Sequence, residues 1–162
     1  MKAYLINLVR GIFPREFSND YRGHPVAFYM LILLMLPMTF RSWVHWLWDD
    51  SGVNSIASIL VFPGDPDPNR VIYMYSSQFG AVHTVMLLLY LLVLVRYRTM
   101  IPLMWLLALL DVLFRLVAAQ LHPLGPEFYE HRPPGTYTFT PTMILSLFML
   151  HFSTRIKPRV AE

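Results

Sequence analysis

The chain contains no cysteine and few charged residues. Without cysteine there is no disulfide framework, no thiolate metal site and no cysteine nucleophile. Asp, Glu, Lys and Arg make up 14% of the 162 residues, whereas 56% are hydrophobic. A typical soluble domain has about 25% charged residues. The balance therefore argues against a soluble protein and indicates an integral membrane protein, with a length that fits a single domain.

Several well-known catalytic motifs are also missing. The sequence has no Walker loop, no HExxH and no GxSxG, which removes the sequence signals for a P-loop nucleotidase, a zinc protease and an α/β-hydrolase. The net charge of +3 comes from basic residues beside hydrophobic runs and not from a continuous stripe. That pattern predicts membrane topology, and we expect no nucleic-acid partner.

Four apolar segments are long enough to be considered as membrane spans. We place them at about 26–48, 71–95, 101–121 and 139–153, and so predict an all-α integral membrane protein built as a four-transmembrane-helix bundle. Thr140 is the expected N-cap of the last span, with Pro141 at its first helical position.

Residues 1–24 precede the first span. The apolar residues Tyr4, Leu5, Leu8 and Ile12 recur at helical spacing, which predicts an interfacial amphipathic N-terminal helix. Arg10 interrupts the apolar run and no small-residue cleavage site follows it, so the segment does not have the pattern of a signal peptide.

Two features predict how the spans are connected. The run VNSIASILVF after the first span is too short to cross a bilayer, and predicts an interfacial or re-entrant segment that folds over the outer mouth of the bundle. Ser76 and Gly80 form a small-xxx-small pair that permits close helix approach. Because only a short turn follows the second span, we expect this small face to pack against the third span.

Basic residues outside the spans are distributed asymmetrically. Arg70 and Arg132 lie in the two segments assigned to the outside, and the others fall on the opposite side: Lys2, Arg10, Arg15, Arg22, Arg96, Arg98, Arg155, Lys157 and Arg159. By the positive-inside rule both termini are cytoplasmic. We expect the inner membrane of a bacterium.

The third predicted span carries Asp111 and Arg115, four residues apart and therefore on one helical face, where they can pair. Charges at membrane depth usually face protein or a water-filled cavity. Counting helical rise from the outer ends places Arg41, Gln78 and His83 in the same half of the membrane. Of the remaining histidines, His45 falls near the surface by the same count. The candidate ligand-binding residues are therefore Arg41, Gln78, Arg115 and His45.

Three functions are compatible with this pattern. Arg41 and Arg115 outnumber Asp111, which predicts a polar pocket for an anionic or quinone-like amphiphile such as a lipid. Alternatively, Asp111 and Arg115 fasten a non-catalytic accessory subunit of a larger membrane complex, or a self-associating protein. In a third reading His83 and Asp111 are catalytic, and transfer protons in a small lipid-modifying isomerase or reductase. Whether the chain is an enzyme stays open.

The positions of the histidines predict neither a haem site nor a metal site. His45 and His83 are expected to differ by about 13 Å along the helix direction, which is unfavourable for a bis-histidine haem. The histidines and glutamates of the second outer loop match no strong metal motif: His122, Glu127, Glu130 and His131. We therefore assign no metal site, and the sequence identifies no cofactor.

Overall fold

A computed structural model describes residues 2–155, with the side chains of residues 5–155. The described chain is helical, with turns and loops between the helices. The helices are α1 Lys2–Ile12, α2 Pro25–Leu47, α3 Asn69–Arg96, α4 Ile101–Leu121 and α5 Gly135–Thr154. The side chains of Lys2 and Tyr4, together with Lys157 and Arg159, lie outside the described residues.

Three segments are long and apolar enough to cross a membrane: Pro25–Leu47, Asn69–Arg96 and Arg98–Leu121. They indicate a membrane protein, and they agree with the first three predicted spans to within two residues at each end of the α-helices. The fourth predicted span corresponds to α5, which has 20 residues.

The start of α5 differs from the prediction. The helix begins at Gly135, and Pro141 lies inside it, so Thr140 is not an N-cap. Pro133 and Pro134 supply the turn before the helix, and their carbonyls accept hydrogen bonds from Thr136 and Tyr137 at 3.0 and 3.1 Å. Pro141 is the seventh residue of α5, so its missing N–H removes one interior hydrogen bond, to the Tyr137 carbonyl, and α5 continues through it while packed against α4.

The helices form two closely packed antiparallel pairs, α2 with α3 and α4 with α5. Gly80 of α3 lies directly against the backbone of α2: a Cβ at this position would fall 2.6 Å from the Trp46 nitrogen and 2.7 Å from the Ser42 carbonyl oxygen. The predicted small face of α3 thus permits close approach, but the expected partner was wrong. It packs on α2 and not on α4, with which α3 has few contacts although only the 3-10 turn Arg98–Met100 separates the two helices in the chain.

The core lies in the half of the bundle away from the loops 48–68 and 122–134. Trp105 of α4 is fully buried, and its indole N–H donates to the Ala27 carbonyl of α2 at 3.0 Å. The Tyr90 hydroxyl donates to the Met104 carbonyl at 3.3 Å. Burying two large rings with both polar atoms satisfied fixes α2, α3 and α4 relative to one another.

The N-terminal helix α1 packs beside the ends of α4 and α5. Ile12 is buried, whereas Leu5, Ile6 and Val9 are about half exposed. The apolar residues of α1 are thus divided between a face on the protein and an exposed face, and its interfacial location stays a prediction.

The loops 48–68 and 122–134 lie together over one end of the bundle, which we call the loop end. An isolated antiparallel β-bridge pairs Ile59 with Tyr129, and the Leu60 N–H donates to the Phe128 carbonyl at 3.0 Å. The run VNSIASILVF is a series of turns followed by this extended segment, so it covers the bundle but is not a re-entrant helix.

Candidate functional site

A cavity of about 350 Å³ lies near the loop end, between α2, α4 and α5. It is lined by all the predicted polar site residues except Gln78: Arg41, His45, His83, Asp111 and Arg115. Asp111 and Arg115 of α4 therefore point into the bundle, an orientation that a site shared with residues of α2 and α3 requires. Gln78 lies on an exposed face of α3 and does not line the cavity.

Asp111 is engaged on both carboxylate oxygens. Arg115, one turn along α4, donates from Nη2 to Oδ2 at 2.7 Å. From α3, His83 brings Nε2 to 3.3 Å from Oδ1. The three side chains are 11–27% exposed, so they are sheltered by packing but still reach the cavity.

The hydrogen bonds of His83 locate its protons. Nδ1 lies 3.0 Å from the Phe79 carbonyl oxygen, which can only accept, so Nδ1 carries a hydrogen. Nε2 faces a carboxylate oxygen, and a hydrogen bond between them needs one further proton. Whether that proton is written on the imidazole or on the acid, the 3.3 Å contact is a hydrogen bond only with a proton between His83 and Asp111. The two groups are therefore placed to share a proton beside the cavity.

Arg41 has a different environment from Arg115. Its guanidinium lies over the Phe79 ring, 5.0 Å from the centroid, while Arg115 lies over Phe139 at 5.1 Å. Arg115 is paired with Asp111, but within residues 5–155 the Arg41 guanidinium donates no hydrogen bond and forms no ion pair. A half-buried guanidinium whose donors are unused by the described protein is the clearest unmet polar requirement of the site.

His45 contributes less to the cavity than expected because its Nδ1 is used structurally. This atom lies 2.8 Å from the Ser51 carbonyl oxygen and 2.9 Å from Ser76 Oγ. The interaction ties the end of α2 to the loop 48–68 and to the start of α3. The main contacts of His45 are therefore structural, and only the rest of its ring lines the cavity.

The predicted separation between His45 and His83 was wrong. Gly80 contacts the backbone of His45, and His83 lies three residues further along α3, or roughly 4.5 Å. The prediction assumed that α2 and α3 end at the same depth on the loop side. In the structure Gly80, which contacts α2, is eleven residues from Asn69 at the start of α3, so about 16 Å of α3 lies on the loop side of this contact. The two histidines bracket Phe79, at 5.8 and 4.0 Å between ring centroids.

Sequence reasoning missed the contributions of Phe79 and of α5. The Arg41 guanidinium lies over the Phe79 ring, and the His83 ring packs against it at a tilt. The position of Phe79 four residues before His83 was a detectable signal. The cavity wall on α5 includes Gly135, Thr138 and Thr142. Gly135 and Thr138 were missed because the helix was expected to begin near Thr140. Thr142 lay inside the predicted span, but an uncharged residue there gave no signal of a site.

The remaining metal candidates do not assemble. In the part of the chain that the structure describes, no group of three or more His, Cys, Asp or Glu side chains is placed to hold a metal ion. No protein-family model, curated protein or solved structure matches the chain. Its function must therefore be argued from the cavity itself.

Proposed function

We propose that this is a four-span membrane protein, with both termini cytoplasmic, which binds the anionic headgroup of an amphiphile in the cavity around Arg41. α5 is the fourth span in this proposal. The loop end lies on the outer side, because the arginine-rich segments belong to the opposite end. The cavity then falls in the outer half of the bilayer, close to the headgroup region.

The unpaired Arg41 guanidinium carries the proposal. Arg41 and Arg115 contribute two positive charges to the cavity wall and Asp111 one negative charge, which leaves an excess of one before the His83 proton is counted. Asp111 is already bound by Arg115 and His83, so it is a poor acceptor for Arg41. A phosphate or carboxylate would supply the missing acceptor, and an arginine offers it a planar pair of donors.

The test is binding of dodecyl phosphate to the purified full chain in dodecyl maltoside, measured by native mass spectrometry. We expect Arg41→Gln to weaken binding by about tenfold or more, the loss associated with a charge-assisted hydrogen bond. Arg132→Gln is the matched control, because Arg132 also lies over an aromatic ring, Tyr137 at 5.4 Å, but does not line the cavity. Equal binding by wild type and Arg41→Gln would refute the proposal. If native mass spectrometry shows a bound partner protein and no retained amphiphile, the chain would instead be an accessory subunit of a larger membrane complex.

The contact between His83 and Asp111 favours a second candidate, a lipid isomerase that shifts a double bond. One group removes a proton from one carbon and the other returns a proton to another carbon, so no external oxidant or reductant is needed. His83→Gln would then keep the fold and amphiphile binding but abolish turnover. Unchanged turnover in this variant would exclude the catalytic role.

A further inference from the structure

The walls of the cavity differ sharply in burial. Its back is formed by buried side chains, among them Leu34, Val112 and His83. Its front edge carries Phe40 of α2, which is 62% exposed, and the exposed Gly135 and Thr138 of α5. These exposed lining residues mark an accessible edge of the cavity between α2 and α5, which we call the lateral opening and define by Phe40 on α2 and Thr138 on α5.

The loop end offers a more covered approach. Ile56 of loop 48–68 forms part of the cavity wall. The same loop is held to loop 122–134 by the bridge between Ile59 and Tyr129, and to α2 by the bond from His45 to Ser51. A ligand arriving along the bundle axis would have to separate these contacts, whereas one arriving through the lateral opening would not.

The polarity of the cavity is graded along α2. Leu34, Pro37 and Met38 line one part, and Arg41 and His45 follow one to two turns nearer the loop end. The apolar part lies toward the middle of the helix and the charged part toward its end. An amphiphile fits this gradient in one direction, with its headgroup at Arg41 and its chain against Leu34 and Met38.

The size of the cavity restricts the ligand further. Its volume of about 350 Å³ is near the lower limit of about 300–1,000 Å³ for ligand pockets. Such a space encloses a headgroup and part of one chain, and leaves no room inside the bundle for a second chain.

We propose that the cavity takes single-chain anionic amphiphiles from the lipid phase through the lateral opening between α2 and α5. This inference rests on the proposed function. It adds the class of ligand and the route by which the ligand reaches Arg41.

The absence of native cysteine allows the route to be tested by site-specific labelling. Phe40→Cys and Thr138→Cys place a bulky maleimide on either side of the lateral opening. Val61→Cys is the matched control, because Val61 is as exposed as Phe40, 65% against 62%, but lies in loop 48–68. The full chain in phosphatidylcholine vesicles is loaded with dodecyl phosphate, and the rates of loading and release are measured by rapid separation and mass spectrometry.

We expect labels at Phe40→Cys and Thr138→Cys to slow loading and release by about tenfold or more, while the label at Val61→Cys changes neither rate. Equal slowing in both directions with an unchanged equilibrium affinity identifies a blocked route, whereas a label that fills the cavity, which both residues line, would lower the affinity. A disulfide between Ile59→Cys and Tyr129→Cys, at the close spacing of an antiparallel bridge, should leave both rates intact. Unchanged rates with a labelled opening, or loading abolished by the loop disulfide, would overturn the route.

Competition tests the ligand class. Laurate should displace dodecyl phosphate, since either a carboxylate or a phosphate satisfies Arg41, and the relative affinities distinguish the two headgroups. Phosphatidic acid with two long chains should compete at least tenfold more weakly, and equal competition would overturn the single-chain assignment. If unlabelled wild-type protein binds none of these amphiphiles, the proposed function itself fails, a result distinct from failure of the route.

Discussion

His83 and Asp111 are 28 residues apart in the chain, but Nε2 of the histidine lies 3.3 Å from Oδ1 of the acid. Arg115 binds the other oxygen at 2.7 Å. One carboxylate thus joins α3 to α4, helices that otherwise have few contacts with each other. The same carboxylate reduces the positive charge of the cavity, so it affects both the fold and the ligand site.

Asp111→Asn is expected to reduce the free energy of unfolding by about 2–3 kcal/mol. Removing one partner of a fully buried pair costs about 3–5 kcal/mol, and the 27% exposure of the Asp111 side chain reduces that cost. The measurement is a reversible unfolding titration in mixed micelles.

The control for this prediction is the double variant Asp111→Asn/Arg115→Leu. It should recover part of the loss, because the arginine left without its acceptor is removed as well. If the losses of unfolding free energy from Asp111→Asn and Arg115→Leu simply add in the double variant, the two side chains do not interact and the ion pair is contradicted. If the double variant loses stability but keeps its affinity for dodecyl phosphate, the pair serves the fold alone.

Gly80→Ala should destabilise the protein by about 2 kcal/mol or more, because the added methyl group meets the backbone of α2 and neither helix can move freely away. The contact atoms are the Trp46 nitrogen and the Ser42 carbonyl oxygen, both under 3.0 Å from the new Cβ.

Gly135→Ala is the matched substitution, since no atom lies within 4 Å of a Cβ there. It should be neutral or slightly stabilising in the same unfolding titration, because alanine also favours helix. Equal effects of the two substitutions would show that the close contact between α2 and α3 does not determine stability.

The sequence was sufficient to locate α2, α3 and α4 because each combines a long apolar run with charged or proline-rich flanks. It failed at the start of α5, where Pro141 resembles an N-terminal proline but lies inside a helix that begins at Gly135. Proline is locally favoured at a helix start, but Pro133 and Pro134 supply an earlier turn and α5 continues through Pro141 against that local preference.

The membership of the site was also largely predictable, since charged residues in apolar helices tend to face protein. Arg41, His83 and Asp111 do line one cavity. The axial offset between helices was not predictable: α3 extends past α2, so His45 lies near His83 instead of far from it. The axial offset between two helices depends on close contacts such as that of Gly80 with α2. Such contacts depend on both helices and cannot be predicted from the sequence of either one.

Loop 48–68 should lose order in acid. The Asp50 carboxylate accepts hydrogen bonds from the backbone N–H groups of Gly52, Asn54 and Ser55 at 2.9, 3.2 and 2.7 Å. Burial raises the pKa of Asp50, but these bonds outweigh it and hold the pKa below its ordinary value of 3.8. Because the pKa of Asp50 is lower in the folded state, the ionised carboxylate stabilises the loop fully above pH 3.8. This stabilisation is lost as the pH falls through the pKa of Asp50 in the folded state.

Hydrogen exchange of residues 52–57 measures this effect. Protection should be constant from neutral pH down to about 4, after correction for the intrinsic exchange rate, and should decrease below that. Asp50→Asn should lower protection at neutral pH and remove its acid dependence, while Asp49→Asn should leave both unchanged. Acid-independent protection in the wild type would refute the role of Asp50.

The final prediction concerns the protons of His83. Because Nδ1 donates to the Phe79 carbonyl, the ring must carry its hydrogen on Nδ1 whether or not Nε2 is protonated. Nitrogen NMR of the histidine-labelled chain in detergent, with His83→Gln to assign the signal, should show a protonated Nδ1. Asp111→Asn should shift the Nε2 resonance and leave Nδ1 protonated, since only Nε2 faces the acid. A neutral ring with its hydrogen on Nε2 alone would contradict the hydrogen bond to Phe79 but keep the one to Asp111. A neutral ring with its hydrogen on Nδ1 alone, beside an ionised Asp111, would contradict the proton shared between His83 and Asp111.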